Sequence, residues 1–401
     1  MDALTTPSNW QRVRLGDIFF ITAGGDLSKP HYSNTKQSDF NYPIYSNAIE
    51  KKGLYGYSSF FIIKNKSITI TSRGTIGVAF FRDYPYVPIG RLLVLQPKIS
   101  NIDCRFYTEY INSKVKFNTE QTTIPQLTIP KVALCEIPLP PLDEQAAIAN
   151  VLSDVDRYLY SLRALILKKE SVKKALSFEL LSQRKRLKGF NQAWQRVRLG
   201  DICEFGNGEA YETLIVENGN FKLISLNSID IDGNLKNTMK RVNFYDNSLK
   251  QDDIVMVLSD VAHGDFLGLC AVIPNNDYVL NQRMGRLRKK NDCINILFLR
   301  LYINANQKYF KMQGQGSSQL NLSKKAIEDF EILLPPLNEQ IAIANILSDL
   351  DHEIISLKNK KRQFENIKKA LNHDLMSTKI RVLKNKTPQK LKANPLFKGN
   401  P

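Results

Sequence analysis

The chain lacks the residue patterns that build disulfide frameworks, metal sites and membrane spans. Its 401 residues include five scattered cysteines without a CxxC pair, which excludes a disulfide framework or a zinc ribbon and favours a reducing compartment. Four histidines lie too far apart in the sequence to suggest a metal motif. No apolar run reaches membrane-spanning length, and the opening residues lack the segments of an export signal. We therefore expect a cytoplasmic protein without a membrane partner.

Motifs of catalysis are also missing. A DNA methyltransferase needs an Asn/Asp-Pro-Pro-aromatic clamp and a Gly-rich cofactor loop. The string nearest to the clamp, 394–397, lacks the second proline. The string nearest to the cofactor loop, 205–208, has the wrong glycine spacing. No GxxxxGK[ST] phosphate loop occurs, and Asp39 with Glu50 and Lys51 fits the carboxylate–lysine set of a Mg²⁺ nuclease only loosely. We therefore predict that this chain is not an enzyme and carries no catalytic residue, metal site or cofactor of its own.

Positive charge is present in excess. Lysine and arginine number 56 against 39 aspartates and glutamates, a formal net charge of +17. An apolar content of 43% with 24% charged residues is ordinary for a globular protein, and the length suggests two or three domains. The charge indicates a polyanionic partner, with nucleic acid favoured over an acidic membrane surface.

The sequence is internally duplicated. The nonamer WQRVRLGDI occurs at Trp10–Ile18 and, unchanged, at Trp194–Ile202. Residues Leu139–Asp156 match Leu334–Asp351 at 14 of 18 positions. The first pair is offset by 184 residues and the second by 195, so the second copy carries an insertion of 11 residues. The predicted order is globular region, long helix, globular region, long helix.

A long helix is predicted after each Pro-Pro pair. Apolar residues recur there at spacings of three and four, which is typical of a coiled-coil seam. Gly189 is the expected end of the first helix, and about 43 residues at 1.5 Å each make a rod of roughly 65 Å. A rod of that length needs a partner, for which the other copy is available. The seam includes Ile148, Leu152, Val155, Leu162 and Val172, and Ile343, Leu347, Leu350, Leu357 and Ile367.

The charges along these helices favour antiparallel pairing. The front of each helix is acidic, as at Glu144 and Glu339, and the rear is basic, as at Arg186 and Arg381. Antiparallel packing sets acid against base at both ends, whereas parallel packing sets like against like. The same polarity also follows from the helix macrodipole alone, without any partner.

The two globular regions, roughly 10–140 and 194–335, are rich in β-branched and aromatic residues separated by Gly and Asn turns. They are predicted to be mixed α/β domains of undetermined topology. The basic tail after about residue 385 is expected to be disordered. Strands are predicted at Phe60–Ile63, Ser67–Thr71, Val78–Phe81, Leu92–Leu95, Ile254–Leu258 and Leu269–Ile273, and helices at Phe106–Phe117 and Ile296–Phe310.

Polar residues between the predicted strands are the candidate DNA-contacting side chains. Guanidinium and amide groups read base edges, while lysines and hydroxyls hold phosphates. Each residue taken alone also fits a solvated loop, but as a group beside the positive charge they favour DNA binding. The two copies carry different sets, so one chain would read two unrelated sequences. The sets are Ser72, Arg73, Thr75, Arg91, Gln121, Thr123 and Gln126, and Asp260, His263, Asn281, Gln282, Arg283, Arg286, Gln315, Ser317, Gln319 and Asn321.

Taken together, these features resemble the specificity subunit of type I restriction–modification systems over nearly the whole chain. The resemblance rests on the duplication, on WQRVRLGDI opening each globular region, and on LPPL[DN]EQ heading each long helix. The stretches 126–129 and 319–322 also look like that family.

The resemblance implies an α+β fold with a pseudo-two-fold internal repeat. Two target-recognition domains, 1–142 and 191–337, would be separated by spacer helices 143–190 and 338–385 that form an antiparallel coiled coil, followed by a disordered tail, 386–401. The target would be double-stranded DNA with two half-sites. The helices, including Glu144, Gln145, Glu339 and Gln340, would also dock two modification subunits that bind S-adenosylmethionine and methylate adenine. Restriction subunits would add ATP- and Mg²⁺-dependent translocation and cleavage.

Three alternatives stay open. A coiled-coil adaptor that binds proteins would lack the steep salt dependence of duplex binding that counterion release produces. A single-chain nuclease or methyltransferase with an unrecognised site would act on DNA alone when given Mg²⁺ and S-adenosylmethionine. A recognition subunit of another restriction system, or of an orphan methyltransferase, would differ in its neighbouring genes.

Deleting one helical turn from each long helix is expected to change the preferred spacer between half-sites and leave both half-site sequences unchanged, because a rigid rod makes spacing a geometric quantity. Mapping of methylated sites measures the spacer directly. An unaltered spacer would contradict the idea that the helices act as a ruler.

Overall fold

A computed structural model describes residues 10–117, 125–261 and 264–382. The predicted α+β fold with its internal repeat is confirmed. The chain divides into two compact units, the first formed by residues 1–163 and 360–401 and the second by 164–359. Each unit therefore contains one globular region and one part of each long helix. Among the described residues, no helix combines the length and the apolar character needed to cross a membrane.

The described residues of the first unit form ten strands, three short helices, the start of one long helix and the end of the other. The strands are β1 Gln11–Arg14, β2 Phe19–Ala23, β3 Tyr32–Ser33, β4 Tyr42–Tyr45, β5 Leu54–Ser58, β6 Ser67–Ile70, β7 Ala79–Arg82, β8 Val87–Pro88, β9 Leu93–Pro97 and β10 Glu136–Leu139. The helices are α1 Leu15–Ile18, α2 Cys104–Lys114, α3 Ile129–Ala133 and the long α4 Leu142–Leu181, which continues into the second unit.

The second unit repeats this order with one additional strand and helix. Its strands are β11 Gln195–Arg198, β12 Cys203–Asn207, β13 Phe221–Ile224, β14 Arg241–Val242, β15 Ile254–Val257, β16 Ser259–Val261, β17 Cys270–Val272, β18 Tyr278–Leu280, β19 Met284–Lys289, β20 Gln319–Asn321 and β21 Glu331–Leu334. Its helices are α5 Leu199–Ile202, α6 Ile296–Ala305, α7 Gln307–Gln313, α8 Lys324–Glu328 and the long α9 Leu337–Met376, which continues into the first unit.

The two units share their sheet topology. An antiparallel four-stranded sheet runs β2-β9-β6-β7 in the first unit and β12-β19-β15-β17 in the second. A second sheet in each unit contains one parallel pair, β4 with β8 and β13 with β18. The repeated nonamer forms β1 with α1 and β11 with α5, and its strand pairs with the strand just before the long helix. Its glycine is needed because a Cβ on Gly16 would lie 2.9 Å from the Cβ of Ala133.

Most predicted strands and helices are confirmed, with two differences. Phe60–Ile63 is not a strand, because only Ile63 forms a β-bridge, with Tyr86. The helix predicted at Ile296–Phe310 is two helices that break at Asn306, whose side-chain amide donates to the Tyr302 carbonyl at 2.9 Å.

The long helices are confirmed at 40 residues each. The first ends at Leu181 rather than near Gly189, and the residue at the equivalent point after each helix has left-handed backbone, Gln183 at φ 62° and Thr378 at φ 60°. A residue in this conformation turns the chain out of the helix.

The motif that heads each long helix is buried against its own globular region. In the first unit, Glu144 accepts a hydrogen bond from the Trp10 indole at 3.0 Å and pairs with Arg381 at 3.3 Å. In the second unit, Glu339 accepts from Trp194 at 2.9 Å and pairs with Arg186 at 2.6 Å. The glutamate therefore joins the start of the globular region, the start of one long helix and the residues just after the end of the other.

The neighbouring glutamine completes this junction. The Gln145 amide donates to the carbonyls of Pro140, at 2.8 Å, and Asn101, at 3.0 Å, and its oxygen accepts from the Asp103 amide. Gln340 makes the equivalent contacts in the second unit. Both glutamines are fully buried, so their polar atoms are used within the chain.

The antiparallel pairing of the long helices is confirmed within each unit. In the first unit, the Tyr158 and Phe364 rings lie 4.6 Å apart and Lys368 pairs with Asp156 at 2.7 Å. In the second, Lys169 pairs with Glu353 and Lys358 with Glu170, both at 2.8 Å. Of the expected seam residues, Val172 and Ile367 are exposed, because these equivalent positions lie on the outer face of their helices.

Glu339→Ala is expected to destabilise the chain by about 3 kcal/mol, because it leaves the half-buried Arg186 and the Trp194 indole without the buried carboxylate that accepts from both. The change in the free energy of unfolding is measured by urea denaturation. Glu353→Ala is the matched control on the same helix, since its half-exposed pair with Lys169 is expected to contribute about 1 kcal/mol or less. Equal losses in the two variants would show that the junction does not hold the fold together.

Candidate nucleic-acid interface

Four segments of the first unit meet at the end of the four-stranded sheet, those that contain Asn47, Ser72, Arg91 and Leu127. Ser72 follows β6 and is fully buried, and its hydroxyl donates to the Arg91 carbonyl, ahead of β9, at 2.7 Å. The Ser72 amide donates to the Asn47 side chain at 2.7 Å, and the Ser72 carbonyl accepts from the Leu127 amide at 2.9 Å. Ser72 thus holds the loops together and does not itself face solvent.

Arg91 and Arg283 occupy equivalent positions in the two units. Each precedes an inner strand of the four-stranded sheet, β9 or β19, and each has left-handed backbone, with φ of 67° and 68°. Both side chains are exposed. The carbonyl of each arginine accepts a hydrogen bond from the segment after the neighbouring strand, that of Arg91 from the Ser72 hydroxyl at 2.7 Å and that of Arg283 from the Leu258 amide at 2.9 Å. Left-handed backbone costs a non-glycine residue roughly 1–2 kcal/mol, so an arginine held there in both copies suggests a functional constraint.

The polar side chains beside Arg91 form one cluster, in which Arg73 is exposed and Gln126 and Asn47 are half-buried. Arg73 donates to the Gln126 side-chain oxygen at 3.2 Å, and the Asn47 amide donates to the Gly90 carbonyl at 2.6 Å. Thr75 is exposed at the tip of the same loop. The structure therefore brings Arg73, Thr75, Arg91 and Gln126 to one edge, while Gln121 and Thr123 lie outside the described residues.

The edge around Arg283 carries a carboxylate instead. Asn281 is buried; its oxygen accepts from the Tyr211 amide at 3.0 Å, and its amide donates to exposed Glu212 at 2.9 Å. A hydrogen bond from the Gln282 side chain, with smaller contributions from Asn281 and Arg283, lowers the pKa of Glu212. Glu212 is thus held as a carboxylate beside an arginine. Asn281 acts through its neighbours and not as a direct contact.

The segment ahead of the long helix is also equivalent in the two units. The Ser259 hydroxyl donates to the Asn321 side chain at 2.5 Å, in the place of the Arg73–Gln126 contact of the first unit. Asn321 also pairs with Gln315 through both backbone amides at 2.9 Å. Gln315, Ser317 and Asn321 are exposed and Gln319 is half-buried.

Two predicted side chains are committed to the fold. Arg286 lies on β19, pairs with Glu204 at 2.7 Å and donates to the Ser248 carbonyl at 3.2 Å. Asp260 accepts from the amides of Val261 and Phe266, at 2.8 and 2.7 Å, and so shapes its own loop. His263, next in that loop, lies outside the described residues, as does the tail, 386–401.

The predicted docking residues lie largely inside the chain. Glu144, Gln145, Glu339 and Gln340 make the internal contacts described above. Ile148 and Leu152, with Ile343 and Leu347, belong to the hydrophobic cores of the two units, and Leu162 is also buried. Val155, Leu350 and Leu357 are half-buried, so docking through these three stays a prediction.

Sequence reasoning missed Asn47 and Glu212. Asn47 belongs to the edge because it holds both Ser72 and Gly90, and Glu212 because Asn281 holds it beside Arg283. Both follow strands with no polar pattern to mark them. The two edges are located by the structural equivalence of Arg91 and Arg283. The sequences between the repeated blocks differ too much for this equivalence to be seen from the sequence. Within residues 10–117, 125–261 and 264–382, no group of three His, Cys, Asp or Glu side chains is placed to hold a metal ion.

Comparisons with known proteins agree with this architecture. A family model described as the type I restriction modification DNA specificity domain matches residues 7–170 and 191–366. The MjaVIII specificity subunit of a type I restriction enzyme from Methanocaldococcus jannaschii is 27% identical, over 95% of each chain.

Two solved structures share the fold. The type I restriction–modification S subunit from M. genitalium superposes with a TM-score of 0.66 at 19% identity, covering 93% of this chain and 97% of that one. A chain from a structural study of complex assembly and conformational transition in the type I system gives a TM-score of 0.53 at 16% identity, with 92% and 98% covered.

Fold and repeat together define a duplicated protein of two α+β domains on two antiparallel helices, the architecture of type I S subunits. The family model covers most of the chain in two copies, as the duplication requires. The chain belongs to the type I restriction–modification DNA specificity family.

Gln282→Ala is expected to raise the pKa of Glu212 toward that of an ordinary glutamate, because the variant loses the strongest hydrogen bond to the carboxylate. Carboxyl-carbon NMR of the full chain with labelled glutamate measures this pKa. Gln315→Ala, which removes an exposed amide from the same edge, serves as the control and is expected to leave the value unchanged. An unshifted Glu212 in the Gln282 variant would contradict the network described here.

Proposed function

We propose that this chain is the DNA-recognition subunit of a type I restriction–modification complex and reads a two-part, asymmetric target. The first unit reads one half-site through the edge around Arg91, and the second reads the other through the edge around Arg283. The observation that carries this proposal is the matched pair of exposed, left-handed arginines, each with its carbonyl fixed by the neighbouring loop.

The chemistry of the two edges fits base reading. An arginine forms bidentate hydrogen bonds with guanine O6 and N7, and a glutamine or asparagine does so with adenine. The first edge offers Arg73, Arg91 and Gln126, and the second offers Arg283, Gln282 and the carboxylate of Glu212, which suits the amino group of cytosine. Because the backbone is shared and the side chains differ, the two half-sites differ in sequence.

The long helices support a division of labour between this chain and its partners. Each reading edge belongs to a unit anchored on both helices through the buried glutamate junction. We propose that the helices set the spacing of the half-sites and dock two modification subunits, which bind S-adenosylmethionine and methylate adenine. Restriction subunits then supply ATP- and Mg²⁺-dependent cleavage, and this chain contributes recognition without catalysis.

Arg73→Ala is expected to relax base preference in one half-site only, and Arg283→Ala in the other only. Each substitution costs about 1–3 kcal/mol of discrimination if the arginine contacts a guanine. Selection of bound duplexes from a randomised pool by the assembled complex reads out both half-sites at once, so each variant serves as the control for the other. Uniform weakening across all sequences would reassign that arginine to a phosphate contact.

The same complex distinguishes DNA recognition from a purely protein-binding role. Affinity for a duplex falls steeply with salt when lysines and arginines displace counterions from phosphates. A complex that binds duplexes without sequence preference or salt dependence would contradict the proposed function.

A further inference from the structure

The first unit contains a cavity of about 910 Å³ between its globular region and the long helices. Strand β7 and helix α2 form one side, where Ala79, Thr108 and Asn112 line the space. Helices α4 and α9 form the other side, where Asp156, Arg163 and Glu365 line it.

The second unit has the same framework around the corresponding space. In the first unit, the Asn112 side chain accepts from the Ala79 amide at 2.8 Å and donates to its carbonyl at 2.9 Å. Asn304 holds Cys270 in the same way, at 2.8 and 3.0 Å. Arg300 lies four residues before Asn304, as Thr108 lies four before Asn112.

The helix residues around the two spaces also correspond. Lys358 and Asp351 lie one repeat, 195 residues, beyond Arg163 and Asp156 of the first unit. Glu170, which pairs with Lys358, corresponds by the same offset to the cavity-lining glutamate of α9. The two spaces are therefore bounded by equivalent residues.

In the second unit, the chain's own acidic turn fills this space. The connection between β13 and β14 runs over residues 225–240, whereas the equivalent connection between β4 and β5 runs only over 46–53. The additional residues account for most of the insertion seen in the sequence. They include the turn Asp230–Asn234, in which the Asp230 carboxylate accepts from the amides of Asp232 and Asn234 at 3.0 and 2.8 Å.

The turn contacts the framework residues that correspond to three cavity-lining residues of the first unit, Ala79, Thr108 and Asn112. Arg300 donates to the carbonyls of Asp232, at 3.1 Å, and Gly233, at 2.6 Å. Gly233 packs so closely that a Cβ on it would lie 2.4 Å from the Asn304 amide nitrogen and 2.9 Å from the Cys270 carbonyl. The Glu170 ion pair, together with the negative charges of Asp232 and Asp230, raises the pKa of Lys358.

We propose that the open cavity of the first unit is the docking site for an acidic tight turn of a protein partner, which would occupy it as Asp230–Asn234 occupies the second unit. The partner is the modification subunit, so this inference rests on the proposed function. Charge supports an acidic occupant: within the described part of the chain, Arg163 and Lys52 line the cavity without an ion pair, while Lys358 in the second unit already has one. Tyr160 at the rim is 77% exposed and offers a further contact.

The two docking positions of the chain are then unequal. A modification subunit that inserts its turn into the first unit meets a filled space at the second. The first position therefore binds the subunit more tightly, and the complex assembles in two separable steps.

The test uses the full chain and the purified modification subunit from its own locus. Native mass spectrometry across a titration measures how many subunits bind and with what two affinities. Arg163→Glu is expected to weaken one of the two binding steps by about tenfold or more, because it places a negative charge where the acidic turn docks. Lys168→Glu, which makes the same charge change at an exposed position of the same helix outside the cavity lining, is the matched control and is expected to leave both steps unchanged.

A photo-crosslinking residue in place of Tyr160 provides a second measurement that does not depend on the stability of the charge variants. The crosslinker at position 160 is expected to capture a segment of the modification subunit that has acidic residues in a turn. The same crosslinker in place of the equivalent Ile355 is the control and is expected not to capture that segment. The cavity proposal would be overturned if the two modification subunits bound with equal affinities and Arg163→Glu changed neither. A crosslink from position 160 to a basic or helical segment would also overturn it. A wild-type chain that binds no modification subunit would instead overturn the proposed function.

Discussion

In each unit a glutamate at the head of one long helix is buried against the tryptophan that begins the globular region and an arginine that follows the end of the other long helix. A buried carboxylate is costly unless it is paired and hydrogen-bonded, and here both conditions are met by residues from distant parts of the chain. The junction therefore exists only when the two helices run antiparallel and the globular region packs on both. This explains why the nonamer and the helix header are the two blocks that the repeat retains.

Because this junction holds the globular region and the two long helices together in each unit, the loops at the end of the four-stranded sheet can differ between the copies. Both copies hold an arginine in left-handed backbone before an inner strand, but one edge surrounds it with arginine and amide groups and the other with a carboxylate. The residues that fix these loops, Ser72 and Asn281, are buried and spend their hydrogen bonds on neighbours. The backbone arrangement is thus common to both edges, whereas the polar side chains differ between them.

The insertion in the second copy adds another difference between the two units, next to the long helices. Its turn packs on Arg300 and Asn304 where the first copy leaves a cavity, so a duplicated chain presents two unequal surfaces. Pseudo-symmetry of the fold does not make the two halves interchangeable, because a few added residues in one connection change what can bind there.

The sequence by itself determined the duplication, the α+β character, the two long helices and their antiparallel pairing. Repeats, apolar periodicity and charge polarity are properties of short stretches, and they are visible without knowing what each stretch contacts. It also indicated the polar loops, since Arg73, Arg91 and Arg283 are exposed at an edge of their unit and Gln126 is half-buried beside Arg73.

Only the tertiary structure decided which of these polar residues face outward. Ser72, Asn281 and Arg286 look in sequence like the exposed residues beside them, but their partners Asn47, Glu212 and Glu204 lie 25, 69 and 82 residues away. The aromatic run at Phe60–Ile63 likewise looks like a strand, yet it finds no neighbouring strand beyond the bridge to Tyr86. Burial, pairing and the filling of the second unit's cavity depend on contacts between distant residues, and local sequence patterns carry no record of those contacts.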